Sequence, residues 1–308
     1  MLAVIGLFLR NAVEHRLRDD TASRMQTILQ ADVAALRIWM QSQQKTVQSI
    51  AVDSTLVAST EKRTAIAATT GVSQLELLQS PALKSLRDQL TPFFEAGGYI
   101  GWIIVTPNQQ IIASARNELV GVENSKDDHP YSQRALEGST TVSPPRKSTV
   151  LLPDEHGELK VGVPTMFAWA PIRQSDGLVI AALGMRIPPQ KEFNQILTIA
   201  RSGQTGETYA VARNGLLVSS SRFDDDLKNI RLLPEDESSM LNMRITDPGV
   251  NMVQGARPTV SRSNQALTKA AGLLLDGSSG VDVRGLPWPS CDAATTDRHQ
   301  ISGRRQDQ

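Results

Sequence analysis

Two stretches set the hydrophobic pattern of this chain. Residues 99–114, Y-I-G-W-I-I-V-T-P-N-Q-Q-I-I-A-S, hold two apolar runs around Pro107-Asn108, which predicts a hairpin inside a sheet. Residues 207–220, E-T-Y-A-V-A-R-N-G-L-L-V-S-S, repeat the pattern around Asn214-Gly215. That dipeptide is a strong hairpin signal because both residues tolerate positive φ. Both stretches end in small residues followed closely by Arg116 and Arg222, which predicts a duplicated module. Upstream, Leu29, Val33, Leu36, Met40, Gln43, Val47 and Ile50 recur at alternating steps of four and three, a heptad stripe broken by its one polar member. No Gly lies between Gly6 and Gly71 and no Pro precedes Pro81. One long helix is therefore predicted, ~60 Å for about forty residues. Its stripe packs either on a partner helix, making a homodimer, or on the sheet modules of its own chain.

The remaining pattern fills in the modules. Residues 60–80, rich in Thr, Ala and Ser, read as a connection or loose helix, and 81–96 as a helix with Leu83, Leu86, Leu90 and Phe94 on one face. Pro81 suits its first turn. Residues 127–145 read as a loop with a short helix. Residues 158–172 contain Pro164 and Pro171 and read as an edge or bulged strand. Residues 178–187 read as a clean strand, and a helix follows to Arg201. The second module begins at Gly203. It has a short helix at 224–230, an irregular stretch at 234–262, a helix at 264–275 and a returning strand at 279–284. After Gly285 no apolar period remains. The class predicted is α+β: a long N-terminal stalk helix, then two antiparallel-sheet modules, the second incomplete.

Composition narrows the function classes. Thirty-two basic residues balance 32 acidic ones, so no net field favours nucleic acid. Aromatics make up 4% of the chain, which argues against carbohydrate or single-strand stacking platforms. The single cysteine, Cys291, excludes a disulfide framework and a Cys-rich metal site. His15, His129, His156 and His299 lie far apart, and none has a second ligand at metal spacing. Sequence patterns for metalloproteases, nucleophile elbows, phosphate loops and dinucleotide folds are absent. The acidic runs at 127–128 and 224–226 read as solvated helix starts. No enzyme, metal or cofactor is expected. Residues 1–9, M-L-A-V-I-G-L-F-L, carry no charge. They lack the basic start of a signal peptide and are shorter than the roughly 20 residues of a span. They read as the last half of a membrane helix, and alternatively as the apolar start of a soluble one.

The stretch G-Q-T-G-E-T-Y-A-V-A-R-N-G-L-L-V-S-S-S-R (203–222), Leu241-Asn242, Asp247-Pro248-Gly249 and the segment 280–285, together with the long helix, resemble a double Cache extracytoplasmic sensor domain of bacterial transmembrane receptors and kinases. The resemblance runs from about residue 10 to residue 285. It implies two tandem PAS-like modules and a cell-membrane location with the modules outside. The expected divisions are 1–12, the remnant of a transmembrane helix; 13–58, the stalk; 59–200, the membrane-distal module; 201–285, an incomplete membrane-proximal module; and 286–308, a non-native or disordered tail. The resemblance further implies small-molecule binding in the distal module. Its amino-acid-binding members hold the carboxylate with an Arg and aromatic cluster and the amine with an Asp on a late strand. Here the late-strand position is Arg186, so an anion is expected in place of an ammonium group.

Candidate ligand residues are Trp102, Tyr131, Arg134, Trp169, Arg173 and Arg186, aromatic walls and guanidinium forks for a carboxylate. The structural alternatives are plain core for Trp169, a sheet-edge cover for Tyr131, a solvated charge for Arg134 and a snorkelling strand end for Arg186. The dimer stripe would be Leu29, Val33, Leu36, Met40, Val47 and Ile50. The function expected is ligand sensing, with a small and anionic molecule bound distally and the effect carried by the long helix. The alternatives are a ligand-free spacer of a receptor and a gene fragment without function.

Overall fold

A computed structural model describes residues 2–69, 73–154, 157–199, 206–250 and 256–277, with short strands at 280–281 and 295–296. The first helix, α1 (Leu2–Ala51), runs 50 residues without interruption. It stops short of the expected 58 because Asp53 takes extended backbone and its carboxylate accepts from the Thr55 and Leu56 amides. That cap starts α2 (Ser54–Ala67). Of the two readings for 60–80, connection or loose helix, the helix holds as far as Ala67, and Leu56 and Arg63 are buried in it. A reciprocal Ser73–Glu76 capping box opens α3 (Gln74–Gln79). In α4 (Pro81–Gly97), Leu83, Leu86 and Leu90 are buried as their spacing predicts; the Phe94 side chain lies outside the described residues. Left-handed Gly98 ends that helix.

By internal contacts the chain divides into two units, residues 38–191 and residues 1–37 with 192–308. The first holds the main sheet. Its strands are β1 (Gly101–Val105) and β2 (Ile111–Ser114), then, beyond α5 (His129–Leu136), β3 (Thr141–Val142) and β4 (Arg146–Lys147). A small hairpin, β5 (Leu152–Pro153) and β6 (Leu159–Lys160), precedes β7 (Pro164–Arg173) and β8 (Val179–Ile187). The order is β2-β1-β8-β7-β3, with β4 also on β7, and every pairing is antiparallel. The hairpin at 99–114 forms as predicted, turning at Pro107-Asn108. Helix α5 packs on one face of the sheet, and α2 and α4 on the other.

Strand β7 is central, not an edge. The ladder tolerates its two prolines for a reason of parity. The Phe167 amide and carbonyl both engage Ser143 on the β3 side, so by alternation Pro171 faces that side too. Strand β3 pairs only Trp169 and Ala168, so no donor is needed at Pro171. Pro164 faces the β8 side, and β8 pairs β7 only from Met166 onward. Both missing N–H groups therefore fall where the ladder asks for none.

The second unit contains α6 (Glu192–Ile199), α7 (Asp224–Asn229) and α8 (Lys269–Leu275). The expected hairpin at 207–220 turns at Asn214-Gly215, with Gly215 at φ +79. It is recorded as single bridges, Val211 to Leu217 and Leu216 to Arg244, and not as strands. Two small apolar clusters replace a sheet core, one around Leu217, Leu233 and Met243 and one around Val218, Met240 and Leu241. The helix expected over 264–275 is shorter because Leu267 bridges Thr246 and the Thr268 hydroxyl caps α8. Strand β9 (Gly280–Val281) falls within the expected return strand and pairs β10 (Thr295–Thr296). The rest of the tail lies outside the described residues.

The α1 stripe has no exposed member. Leu36, Val47 and Ile50 are buried, and Leu29, Val33 and Met40 are half-buried. Of its two expected roles, packing within the chain is the one this burial matches. Tyr99 donates to Gln43 at 2.7 Å, and Gln44 donates to the Thr140 carbonyl at 3.3 Å.

Candidate functional site

The sheet face under α5 is built by alternation. Thr165, Phe167 and Trp169 project from β7, and Arg186, Gly184 and Ala182 from β8, because residues two apart share a face. Register then sets Phe167 opposite Arg186 and Trp169 opposite Gly184. On the other side of β8, Arg186 stands opposite Gly101 of β1. A β-carbon at Gly101 would lie 3.5 Å from Arg186 Cδ and Nε, so the arginine stem runs over that glycine. Gly184 gives Trp169 its place: a β-carbon there would meet the indole at 2.7 Å.

Charge is concentrated beside this aromatic pair. Arg186 is 6% exposed, its guanidinium carbon lies 4.5 Å from the Phe167 centroid, and its Nη1 has no hydrogen-bond partner. Burial lowers its pKa to about 10, with Asp128 pulling upward, so it is charged at neutral pH. Arg146 grips buried Asp128 with two donors, Nε at 2.8 Å and Nη2, and its guanidinium carbon lies 5.8 Å from the Phe167 centroid. Burial pushes the Asp128 carboxyl upward, and Arg146 opposes it. Thr165 Oγ1 and Trp169 Nε1 are also buried without partners.

A polar clasp holds α5 over the face. Gln109, at φ +63 in the β1–β2 turn, accepts through Oε1 from Ser132 of α5 at 2.8 Å and from Asn124 at 3.1 Å. Tyr131 of α5 packs against the Phe167–Trp169 cluster, and burial raises its pKa.

The structure therefore brings three of the six candidates together: Tyr131, Trp169 and Arg186. Arg134 is half-buried on α5, near enough to Tyr131 to oppose the rise that burial gives its pKa. Trp102 points away. It pairs Met185, so it shares the opposite face, toward α2 and α4. Arg173 is exposed and donates to the Gly177 and Gly138 carbonyls, which makes it a loop tie. Sequence reasoning missed Thr165, Phe167, Arg146 and Asp128. The first two had a readable signal, since they stand two and four residues before Trp169 on one strand. Arg146 had none, because the pairing of β4 with β7 brings it in; Asp128 starts α5 as expected but is buried, not solvated, because Arg146 holds it.

Elsewhere, a depression lined by Leu197, Thr198, Glu207, Thr208, Ser220 and Arg222 has a volume of about 10 Å³, room for one water at most. Among the described residues no group of three or more His, Cys, Asp or Glu is placed to hold a metal.

No family model matches the chain, and no curated protein does. Solved structures do. The chain is similar to the ligand-binding domain of the Pseudomonas aeruginosa PAO1 amino-acid chemoreceptor PctC in complex with GABA, at 12% identity over 66% of this chain and 77% of that one, with a TM-score of 0.39. It is similar to the sensor domain of the Vibrio cholerae histidine kinase DctB, at 12% identity over 71% and 76%, with a TM-score of 0.38. A third is the ligand-binding domain of the Campylobacter jejuni chemoreceptor Tlp3 in complex with 4-methylisoleucine, at 16% identity over 70% and 75%, with a TM-score of 0.36.

Proposed function

We propose that this chain is the extracytoplasmic ligand-sensing region of a bacterial membrane receptor, and that it binds a small anion on the α5-covered face of residues 38–191. One observation carries the reading. A charged arginine is buried on that face with an orphaned donor, while the carboxylate that acts on it, Asp128, is already gripped by Arg146. Burying a charge without a partner is costly. An incoming anion relieves that cost and so gains affinity from it.

The route outward follows from two contacts. Helix α5 roofs the site, and the chain leaving it reaches Thr140, whose carbonyl accepts from Gln44 of α1. An anion that changes the seat of α5 shifts this tie, and α1 is continuous from there to Leu2. The ligand must favour one seat over the other for any shift to occur. Exposed Ile5, Phe8, Leu9, Val13 and Leu17 on the same helix support association with a membrane. Among the described residues no helix is long and apolar enough to cross one.

The test is a thermal-shift screen of the full chain against small anions, amines and amino acids. Ligand at a hundred times its dissociation constant adds about 2.7 kcal/mol. Stabilisation by anions, lost in Arg186→Met, is the expected result. A cooperative melt that no compound shifts favours a ligand-free spacer.

A further inference from the structure

The orphaned atoms of the Arg186 face share one property. Arg186 Nη1 and Trp169 Nε1 can only donate a hydrogen bond, and the Thr165 hydroxyl is free to donate. No acceptor-only atom is orphaned on β7 or β8. The charges are equally one-sided. Two guanidiniums, Arg146 and Arg186, share one buried carboxylate, Asp128. Arg116, which also acts on Arg186, is matched by its own partner Glu118. Outside this set Arg134 and exposed Asp127 are opposite in sign. The buried set is thus one positive charge in excess, surrounded by donors.

We infer that the ligand of this face is a small acid with one carboxylate, a second oxygen acceptor such as an oxo or hydroxyl group, and no ammonium group. This rests on the sensor reading above and adds the ligand's chemistry to it. One carboxylate cancels the single excess charge. A second would be left buried without a counter-ion. An ammonium group would meet a positive field and two donor-only atoms, with the Thr165 hydroxyl as its one acceptor among the orphaned atoms. Thr165 and Trp169 stand on either side of Phe167 along β7, roughly 13 Å apart at the backbone, so the acceptors they meet belong to different parts of the ligand. The carboxylate takes Arg186 and Thr165, and the second oxygen takes the indole N–H. The Phe167 and Trp169 rings, with centroids 5.2 Å apart, supply apolar contact for the carbon skeleton.

The experiment is calorimetric titration of the full chain with a series of oxo acids in which the oxo group stands progressively further from the carboxylate, from 4-oxopentanoate to 8-oxononanoate. Each is set beside the hydroxy acid, the plain acid and the amino acid of the same skeleton, with succinate and sulfate as further probes. The expected result is that an oxo or hydroxy acid binds at least about tenfold tighter than its plain acid, the cost of one hydrogen bond to a buried donor, and that its amino acid does not bind. Thr165→Val should weaken that binding about tenfold while the free protein melts no lower than the parent, since the variant loses a buried unpartnered hydroxyl, and Arg186→Met should abolish it. If Arg186→Met does not melt cooperatively, Thr165→Val alone decides. Equal binding of oxo and plain acids overturns this inference. So does binding of succinate or sulfate alone, and both leave the anion-sensor reading standing. Tight binding of the amino acid, or no binding by any anion, overturns both.

Discussion

The guanidinium carbon of Arg186 lies 4.5 Å from the ring centroid of Phe167, and the two residues are direct register partners across β7 and β8. A charge is thus buried in the sheet face with a ring as its nearest neighbour on that strand, and Arg146 approaches the same ring at 5.8 Å. Such cation–π contacts are worth roughly 0.5–2 kcal/mol each, more when desolvated. Replacing Phe167 by Leu keeps an apolar residue but removes the quadrupole. Unfolding in urea should show a loss of about 2 kcal/mol, and an unchanged midpoint would mean the ring does not stabilise either arginine.

Arg63 of α2 is 0% exposed, and its two terminal nitrogens donate to the Leu77 and Ile112 carbonyls, tying α2 to α3 and β2. Burial lowers its pKa to about 10, which leaves it charged at neutral pH. Arg63→Met removes the charge with little change of shape, but it orphans two buried carbonyls. The expected cost is about 2–4 kcal/mol, read from the denaturation midpoint.

Gly184 makes room for the Trp169 indole. In Gly184→Ala the added methyl overpacks the face and should cost about 1–3 kcal/mol. Trp169→Leu clears that space, so the double variant should lose clearly less than the sum of the two single losses. Strict additivity would mean the close approach has no energetic weight.

Asp32 of α1 is buried, its Oδ2 is unpartnered, and burial raises its pKa against the opposing hydrogen bond from Thr208. The folded state therefore binds this proton more tightly than the unfolded state, and the contribution of Asp32 to stability falls as pH rises above the ordinary carboxylate value of about 3.9. Asp32→Asn should be more stable than the parent at neutral pH, and the difference should shrink in acid. A difference in melting temperature that is constant across that range would show that Asp32 is not titrating in the folded protein.

The second unit is held by single bridges and two small clusters, whereas β7 and β8 form a long ladder. Native-state hydrogen exchange should place the β7 and β8 amides near the global limit, and the Leu216, Leu217 and Leu241 amides well below it. Equal protection in the two sets would mean the second unit opens only with the whole.

Local pattern alone determined a good deal. It set the long helix, the 99–114 hairpin, the face of α4, strand β8 and the α+β class, because helix and strand periods and turn residues act over a few neighbours. It also singled out Arg186 as an odd charge in an apolar run. Local pattern did not decide that α1 ends at Ala51, where a side-chain cap competes with the helix, nor that a strand with two prolines lies at the sheet centre. Above all, only tertiary structure placed Phe167 beside Arg186, turned Trp102 to the far face and brought Asp128 and Arg146 to the site. Alternation fixes which residues of one strand share a face. Which strand lies alongside, in what register, and which face is covered depend on pairing between segments far apart in sequence, and that is settled by burying the whole face at once.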